Sequence, residues 1–221
     1  MSGIKRPFVH LNAAMSLDGK IATRTGDSRI SSPADLKRVH RLRATVDAIM
    51  VGFRTLLTDD PKLTVKFFDA PNPARVIVDS KAKTPLDAYV VKTAKAIPTI
   101  IAVTSKAPAE KIRQLEQKGV TVLVCGSGPH VSLRLLLTRL RSRGIRRLLL
   151  EGGGELNWSM LSQGLVDEIT VAITPRIIGG SEATTLADGR GSELVKGGVR
   201  LKLIRTATYG PDLVVRFKVM N

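Results

Sequence analysis

Leu148-Leu149-Leu150-Glu151-Gly152-Gly153-Gly154-Glu155 passes from a short apolar run through an acid and three glycines to a second acid. Leu156, Met160 and Leu161 follow at helical spacing, and Gly164 stands where that helix would stop. The order is strand, glycine turn, helix. Glycine adopts backbone conformations closed to residues with a Cβ and lets the chain approach a ligand closely. The helix start that follows offers unpaired N–H groups and the positive end of a dipole, which attract phosphate. Three glycines in a row favour a phosphate site over a bare connection. The spacing is not the G-x-G-x-x-G dinucleotide fingerprint, so fold and ligand need support from the rest of the chain.

Working outward, strand-like runs cover 9–14, 48–51, 75–78, 99–103, 121–124, 147–150, 168–173, 201–207 and 213–219. Ser32 before Pro33, with Asp35 three residues on, predicts a helix start. Leu36, Val39 and Leu42 form the apolar stripe of that helix. Helices are also predicted over 109–118, ending at Gly119, and 131–143, ending at Gly144, the latter with Val131, Leu135, Leu136 and Leu140 inward. Strands alternating with short helices imply a mostly parallel sheet covered on both faces. The last two runs flank Gly210-Pro211-Asp212 and predict an antiparallel hairpin. The expected fold is α/β, one domain over 1–221: a mixed, mostly parallel sheet flanked by helices, with a C-terminal antiparallel hairpin. Four segments follow strand ends, where such sheets bind ligands: 14–20, 52–66, 79–83 and 151–155.

The 221 residues carry a net charge of +16 and a predicted pI near 10.6. That balance suits acidic ligands: phosphorylated small molecules, nucleic acid or anionic surfaces. Aromatic residues make up only 4% of the chain, which leaves little surface for stacking single-stranded bases. Arg134, Arg139, Arg141 and Arg143 read as a solvated helix face. The one cysteine, Cys125, ends an apolar run and reads as a small core residue. With three scattered histidines, no metal site is expected. No apolar run approaches the roughly 20 residues of a membrane span, and no signal-peptide pattern opens the chain. The expected setting is cytoplasmic, with no membrane or nucleic-acid partner.

Each strand-end segment has its own chemistry. Asn12 donates and accepts hydrogen bonds suited to an amide or pyrimidine edge, and Ala13 and Ala14 leave room for a flat ring. Asp59-Asp60 precede Pro61, a pattern of turn capping, and no third acid stands at metal-ligand spacing. Asp59 is therefore assigned to hydrogen bonding, with a ribose as partner, and Thr55 to a phosphate or nicotinamide group. Arg43 and Lys66 are candidate clamps for a substrate phosphate. Ser80, Lys81 and Lys83 are candidates for a 2′-phosphate, the group that separates NADPH from NADH.

These residues match a family. The chain resembles the stand-alone riboflavin-biosynthesis reductases of archaea and fungi, which are similar to the reductase domain of the bacterial bifunctional deaminase–reductase. The markers are Met15 through Ala22, Leu42-Arg43-Ala44, Thr55 through Asp59-Asp60-Pro61 to Val65, Val78-Asp79-Ser80, Glu151 through Gly154, Gly164 through Glu168, and Pro175 with Gly179-Gly180. The resemblance implies a dihydrofolate-reductase-like fold and a homodimer. It implies NADPH-dependent reduction of 2,5-diamino-6-ribosylamino-4(3H)-pyrimidinone 5′-phosphate to its ribitylamino form; the sequence leaves open whether NADH is accepted too.

By the same resemblance, Ala14, Thr55, Asp59, Ser80 and Gly152, Gly153, Gly154 and Glu155 contact the cofactor, and the 2′-phosphate reading above adds Lys81. Arg43, Leu63, Lys66 and Glu151 contact the substrate, and Asn12 and Glu151 are the catalytic candidates. Two departures stand out. Lys66 replaces the arginine of the bacterial pattern, a point charge in place of a bidentate fork. Arg29 replaces a tryptophan. The zinc-deaminase signature, H-x-E with P-C-x-x-C, is absent. Two rivals remain: a reductase of the deaminated uracil intermediate or of a pterin, and a basic nucleic-acid-binding protein, whose binding would weaken steeply with salt.

Overall fold

A computed structural model describes residues 5–220. The chain divides into two compact units, one of residues 5–8 with Arg43–Leu149, the other of Val9–Leu42 with residues 150–220. Among the described residues, nine strands are found, mostly parallel.

The first unit contains β2 (Ala48–Gly52), β3 (Ala74–Val78), β4 (Thr99–Val103), β5 (Thr121–Val124) and β6 (Arg147–Leu150, all but its last residue), in the order β5-β4-β3-β2-β6. The β2–β3, β3–β4 and β4–β5 pairs are parallel. Ile49, Met50, Ile77 and Ile101 are fully buried, the signature of central strands covered on both faces. Helices α4 (Ala109–Gln117) and α5 (Leu133–Ser142) contribute Leu115, Leu136, Leu137 and Leu140 to this core. Asp47 ties two strand starts together: its carboxylate accepts the Arg146 and Arg147 N–H groups at 2.7 and 2.8 Å.

The second unit contains β1 (Phe8–Ser16, all but its first residue), β7 (Glu168–Thr174), β8 (Arg200–Tyr209) and β9 (Asp212–Met220), in the order β1-β7-β9-β8. β1 and β7 are parallel, with Asn12 opposite Thr170 and Ala14 opposite Ala172. β7–β9 and β8–β9 are antiparallel, and β8 carries a bulge between Leu203 and Arg205. Two helices belong here, α1 (Pro33–Arg43, all but its last residue) and α6 (Gly154–Ser162).

Several strands extend beyond their apolar pattern because the added residues are polar yet buried, as Ser16, Thr174 and Asp212 are. Ser32 caps α1 as expected, its hydroxyl accepting the Asp35 N–H at 3.2 Å. Three expectations need correction. Two helices fall outside those predicted: α2 (Phe53–Asp59) and α3 (Tyr89–Lys92). α2 buries only Leu56, so it has no apolar stripe to read. The inward face of α1 is Asp35, Val39 and His40, with Leu36 46% exposed. In α5, Leu133 and Leu137 point inward and Leu135 outward.

Candidate functional site

In the first unit, the segment after α2 is held in unusual backbone. Asp60, Leu63 and Phe67 have φ of 38°, 51° and 67°, left-handed values that cost non-glycine residues energy and cluster at functional sites. The Asp60 backbone N–H closes the end of α2 on the Leu56 carbonyl, and its Oδ1 accepts the Tyr89 N–H at 2.8 Å, at the start of α3. Asp59 lies one helical turn beyond Thr55, so the two share a face of α2.

Arg43 binds this segment directly. Its Nη1 donates to the Thr64 carbonyl at 3.1 Å. That bond places the guanidinium beside a backbone that carries Leu63 and Lys66 one residue before and two after. The three candidate substrate contacts of this unit are thus brought together. The Leu63 side chain is only 2% exposed, so contact with a polar ligand at this position falls to its backbone. Lys66 is exposed.

Ser80 follows β3. Its Oγ accepts the Val131 N–H at 3.1 Å, which leaves the hydroxyl hydrogen able to donate. Its carbonyl accepts both the N–H and the hydroxyl of Thr104. The neighbouring Asp79 is buried and accepts the Thr84 N–H and hydroxyl at 2.7 and 2.8 Å. Asp79 therefore builds the turn on which Lys81 and Lys83 stand exposed, either side of the buried Ala82. The pattern Val78-Asp79-Ser80 marked this turn but not the structural task of its acid.

In the second unit, Asn12 and Ala14 are two residues apart on β1 and so point to one face. Asn12 is buried, and its Oδ1 accepts a hydrogen bond from Arg38 Nη2 at 2.9 Å. Arg38 in turn holds the fully buried Asp35 through Nε at 2.6 Å and lies over the Tyr209 ring. Sequence reasoning missed Arg38, whose only local signal was an acid three residues earlier on the same helix. The consequence is specific: the Asn12 carbonyl is committed, and its Nδ2 hydrogens are what it offers a ligand.

The glycine turn follows β6 and opens α6, with Gly152 at φ 94° and Gly153 as N-cap. Glu151 is half-buried and Glu155 is exposed in the first helical turn. The glycines are explained in part by the protein itself. A Cβ on Gly154 would stand 2.6 Å from the Thr185 carbonyl oxygen and closer still to the Asp188 carboxylate. A Cβ on Gly152 would meet the Asn157 side chain at 3.3 Å. Gly153 is half-buried.

Asp18 organises the loop after β1. It accepts the Ser16 hydroxyl at 2.6 Å, the Ile178 N–H at 3.0 Å and the Gly179 N–H at 2.7 Å. These bonds, the serine's first, hold its carboxyl down at a pKa of about 2. Among the described residues, no three His, Cys, Asp or Glu side chains gather as metal ligands, and no helix is long and apolar enough to cross a membrane.

Comparison with known proteins bears on what this arrangement serves. The RibD C-terminal domain family matches residues 7–215. The 2,5-diamino-6-ribosylamino-4(3H)-pyrimidinone 5′-phosphate reductase of Methanothermobacter thermautotrophicus is 52% identical over 217 residues, 97% of this chain and 99% of that protein. The protein of the same name from Aquifex aeolicus is 39% identical and is covered to 99%, as is this chain. Among solved structures, Acinetobacter baumannii RibD superposes with a TM-score of 0.85 at 26% identity, over 98% of this chain and 58% of that one.

Proposed function

The chain belongs to the RibD C-terminal domain family, and from that premise we propose that it is a 2,5-diamino-6-ribosylamino-4(3H)-pyrimidinone 5′-phosphate reductase of riboflavin biosynthesis. The observation that carries this reading is the 52% identity to a reductase of that name along nearly the whole of both chains. The family match covers parts of both units, which supports treating residues 1–221 as one reductase domain. The relatives' names specify the diamino-pyrimidinone, and that is the basis for proposing that reduction precedes deamination.

NADPH is the proposed reductant, with NADH as the weaker substitute. The chain's residues fit such a group. Ser80 keeps a hydroxyl hydrogen to donate, and Lys81 stands exposed beside it to meet a 2′-phosphate. Gly152, Gly153 and Gly154 bring bare backbone to the start of α6, with Glu155 in its first turn. Ala14 offers a flat neighbour for a ring, Thr55 a hydroxyl and Asp59 a ribose acceptor. When bound, the nicotinamide supplies the hydride.

The protein supplies position and field. Arg43 and Lys66 hold the substrate 5′-phosphate, with the backbone at Leu63 as neighbour. Asn12 donates from Nδ2 to the reacting substrate, its orientation set by Arg38. Opening of the ribosylamine exposes an imine whose C1′ takes the hydride and whose nitrogen becomes the amine of the ribityl chain. Glu151 holds a sugar hydroxyl or moves the proton that balances ring opening.

The active form is proposed to be a homodimer. β8 is an edge strand, and Leu201, Leu203 and Ile204 along it are 44–54% exposed. Phe217 stands opposite Leu203 on β9, so the apolar surface continues across both strands of the hairpin. An uncovered apolar edge of this kind is a pairing surface. A cytoplasmic setting, with no nucleic-acid or membrane partner, completes the reading.

The test is oxidation of NADPH, followed by loss of its absorbance, with the diamino-pyrimidinone substrate and its deaminated uracil counterpart in parallel. Faster turnover of the diamino compound supports the assignment. Preference for the uracil reassigns the substrate, and no turnover of either with no NADPH binding defeats the reductase reading.

A further inference from the structure

Residues 176–189 are laced to the rest of the second unit at two ends. At one end, Leu17 N–H donates to the Arg176 carbonyl at 2.8 Å, and the Asp18 carboxylate takes the Ile178 and Gly179 N–H groups. Lys20 Nζ reaches the Ala183 carbonyl at 3.2 Å, and the Ile21 N–H reaches that of Thr184 at 2.8 Å. At the other end, the segment lies on the start of α6. The Asp188 N–H donates to the Gly154 carbonyl at 3.1 Å, and Asn157 Nδ2 donates to the Leu186 carbonyl at 2.8 Å. Gly189 passes over Trp158 so closely that a Cβ there would fall 2.8 Å from the indole.

Asn157 is the link to the glycine turn. It is 1% exposed, its N–H donates to the Gly153 carbonyl at 2.9 Å, and its side chain lies against Gly152. Its Oδ1 is buried without a hydrogen-bond partner. Among the described residues, the one side-chain bond that orients this amide is the one Nδ2 donates to the Leu186 carbonyl. If residues 176–189 shift, Asn157 is free to turn, and the support beneath Gly152 and Gly153 changes with it.

We infer that residues 176–189 form a positioning strap, anchored by the Asp18 carboxylate at one end and by Asn157 and Gly154 at the other, which sets the shape of the glycine turn. Asp18 is then a positioning residue that acts on the cofactor through the strap. The inference rests on the turn being the cofactor contact proposed above, although the coupling between the two anchors does not.

The experiment uses the full chain and two variants, one at each end. Asp18→Asn swaps one of the two oxygens that accept strap N–H groups for an NH₂ group that cannot accept. Asn157→Asp removes the donor to Leu186. Amide hydrogen exchange is read at Ile178, Gly179, Asn157 and Asp188, with the NADPH Kd and a separation of KM from kcat. Asp18→Asn is expected to speed exchange at Ile178 and Gly179, and also at Asn157 and Asp188, by about tenfold, the scale of ordinary site coupling. The NADPH Kd should rise by about the same factor while kcat at saturating cofactor stays within about twofold. Asn157→Asp should give the same split from the opposite end.

A merely structural loop would lower the melting temperature without that split. Faster exchange confined to Ile178 and Gly179, or an unchanged Kd alongside faster exchange at Asn157 and Asp188, overturns the strap. A native chain that does not bind NADPH defeats the cofactor reading instead, and the exchange pattern still decides whether the anchors are coupled.

Discussion

Arg38 Nη2 donates to Asn12 Oδ1 at 2.9 Å while its Nε holds the buried Asp35 at 2.6 Å. One guanidinium therefore satisfies a buried acid and fixes which end of the Asn12 amide remains for a ligand. Twenty-six residues separate the pair, and the bond joins a strand to a helix.

Asn12→Asp separates those two jobs. The substitution keeps an acceptor for Arg38, so the fold survives and the melting temperature moves by only a few degrees. The Nδ2 donor is lost, and kcat/KM should fall by about 10- to 100-fold, as expected for a hydrogen bond made in the transition state. Steady-state kinetics beside calorimetry check it; native kcat/KM in the variant would remove Asn12 from the reaction.

Arg43→Ala should raise the KM for the phosphorylated substrate by about tenfold or more and leave the KM for NADPH in place, because a charge-assisted contact to phosphate is lost. Arg43→Lys should recover part of it, since a point charge replaces the fork but not its geometry. An unchanged substrate KM in the alanine variant would refute the clamp.

Gly154→Ala forces a methyl into the Thr185 carbonyl and the Asp188 carboxylate. Overpacking of this kind costs about 1–3 kcal/mol, and for a chain of this size each kcal/mol lowers Tm by about 2–4 °C. Calorimetry of the purified variant decides it, and a native Tm would show that the strap gives way freely.

The Asp18 carboxyl is held at a pKa of about 2, below the 3.8 of an unperturbed aspartate. A carboxyl with a lowered folded-state pKa contributes stability above its unfolded value and loses it as pH falls through the folded one. The strap anchor should therefore be intact at neutral pH and weaken only between about pH 4 and pH 2. Exchange at Ile178 and Gly179 followed down that range tests this; acceleration that begins above pH 5 would assign the titration to another group.

Leu203→Glu places a charge on the exposed edge strand, and its own carboxylate would face the apolar surface it now forms with Phe217. In a homodimer paired through this edge the variant should run as a monomer in sedimentation, with its helix content retained. A native chain that is already monomeric would sink the proposed dimer.

Local pattern determined much of this protein. The strand–glycine–helix unit around Gly152, the Ser32 cap of α1, the C-terminal hairpin and the alternation that implies a parallel sheet were all legible, because each depends on residues within a few positions of one another. The apolar periods and stop glycines act at i+2, i+3 and i+4, the distances a sequence displays directly.

Tertiary structure alone decided how polar groups are spent. Arg75 stands in a strand read as apolar, yet its fully buried guanidinium donates to Thr93 and Thr99 and to the Val90 and Ile97 carbonyls, and burial pushes its pKa down to about 10. Gly154 reads as ligand access but is also required by Asp188, 34 positions away. Asn12 reads as donor and acceptor until Arg38 takes its carbonyl. A buried polar atom must find a partner wherever the topology brings one. That choice depends on which strands and loops become neighbours, which no local pattern encodes.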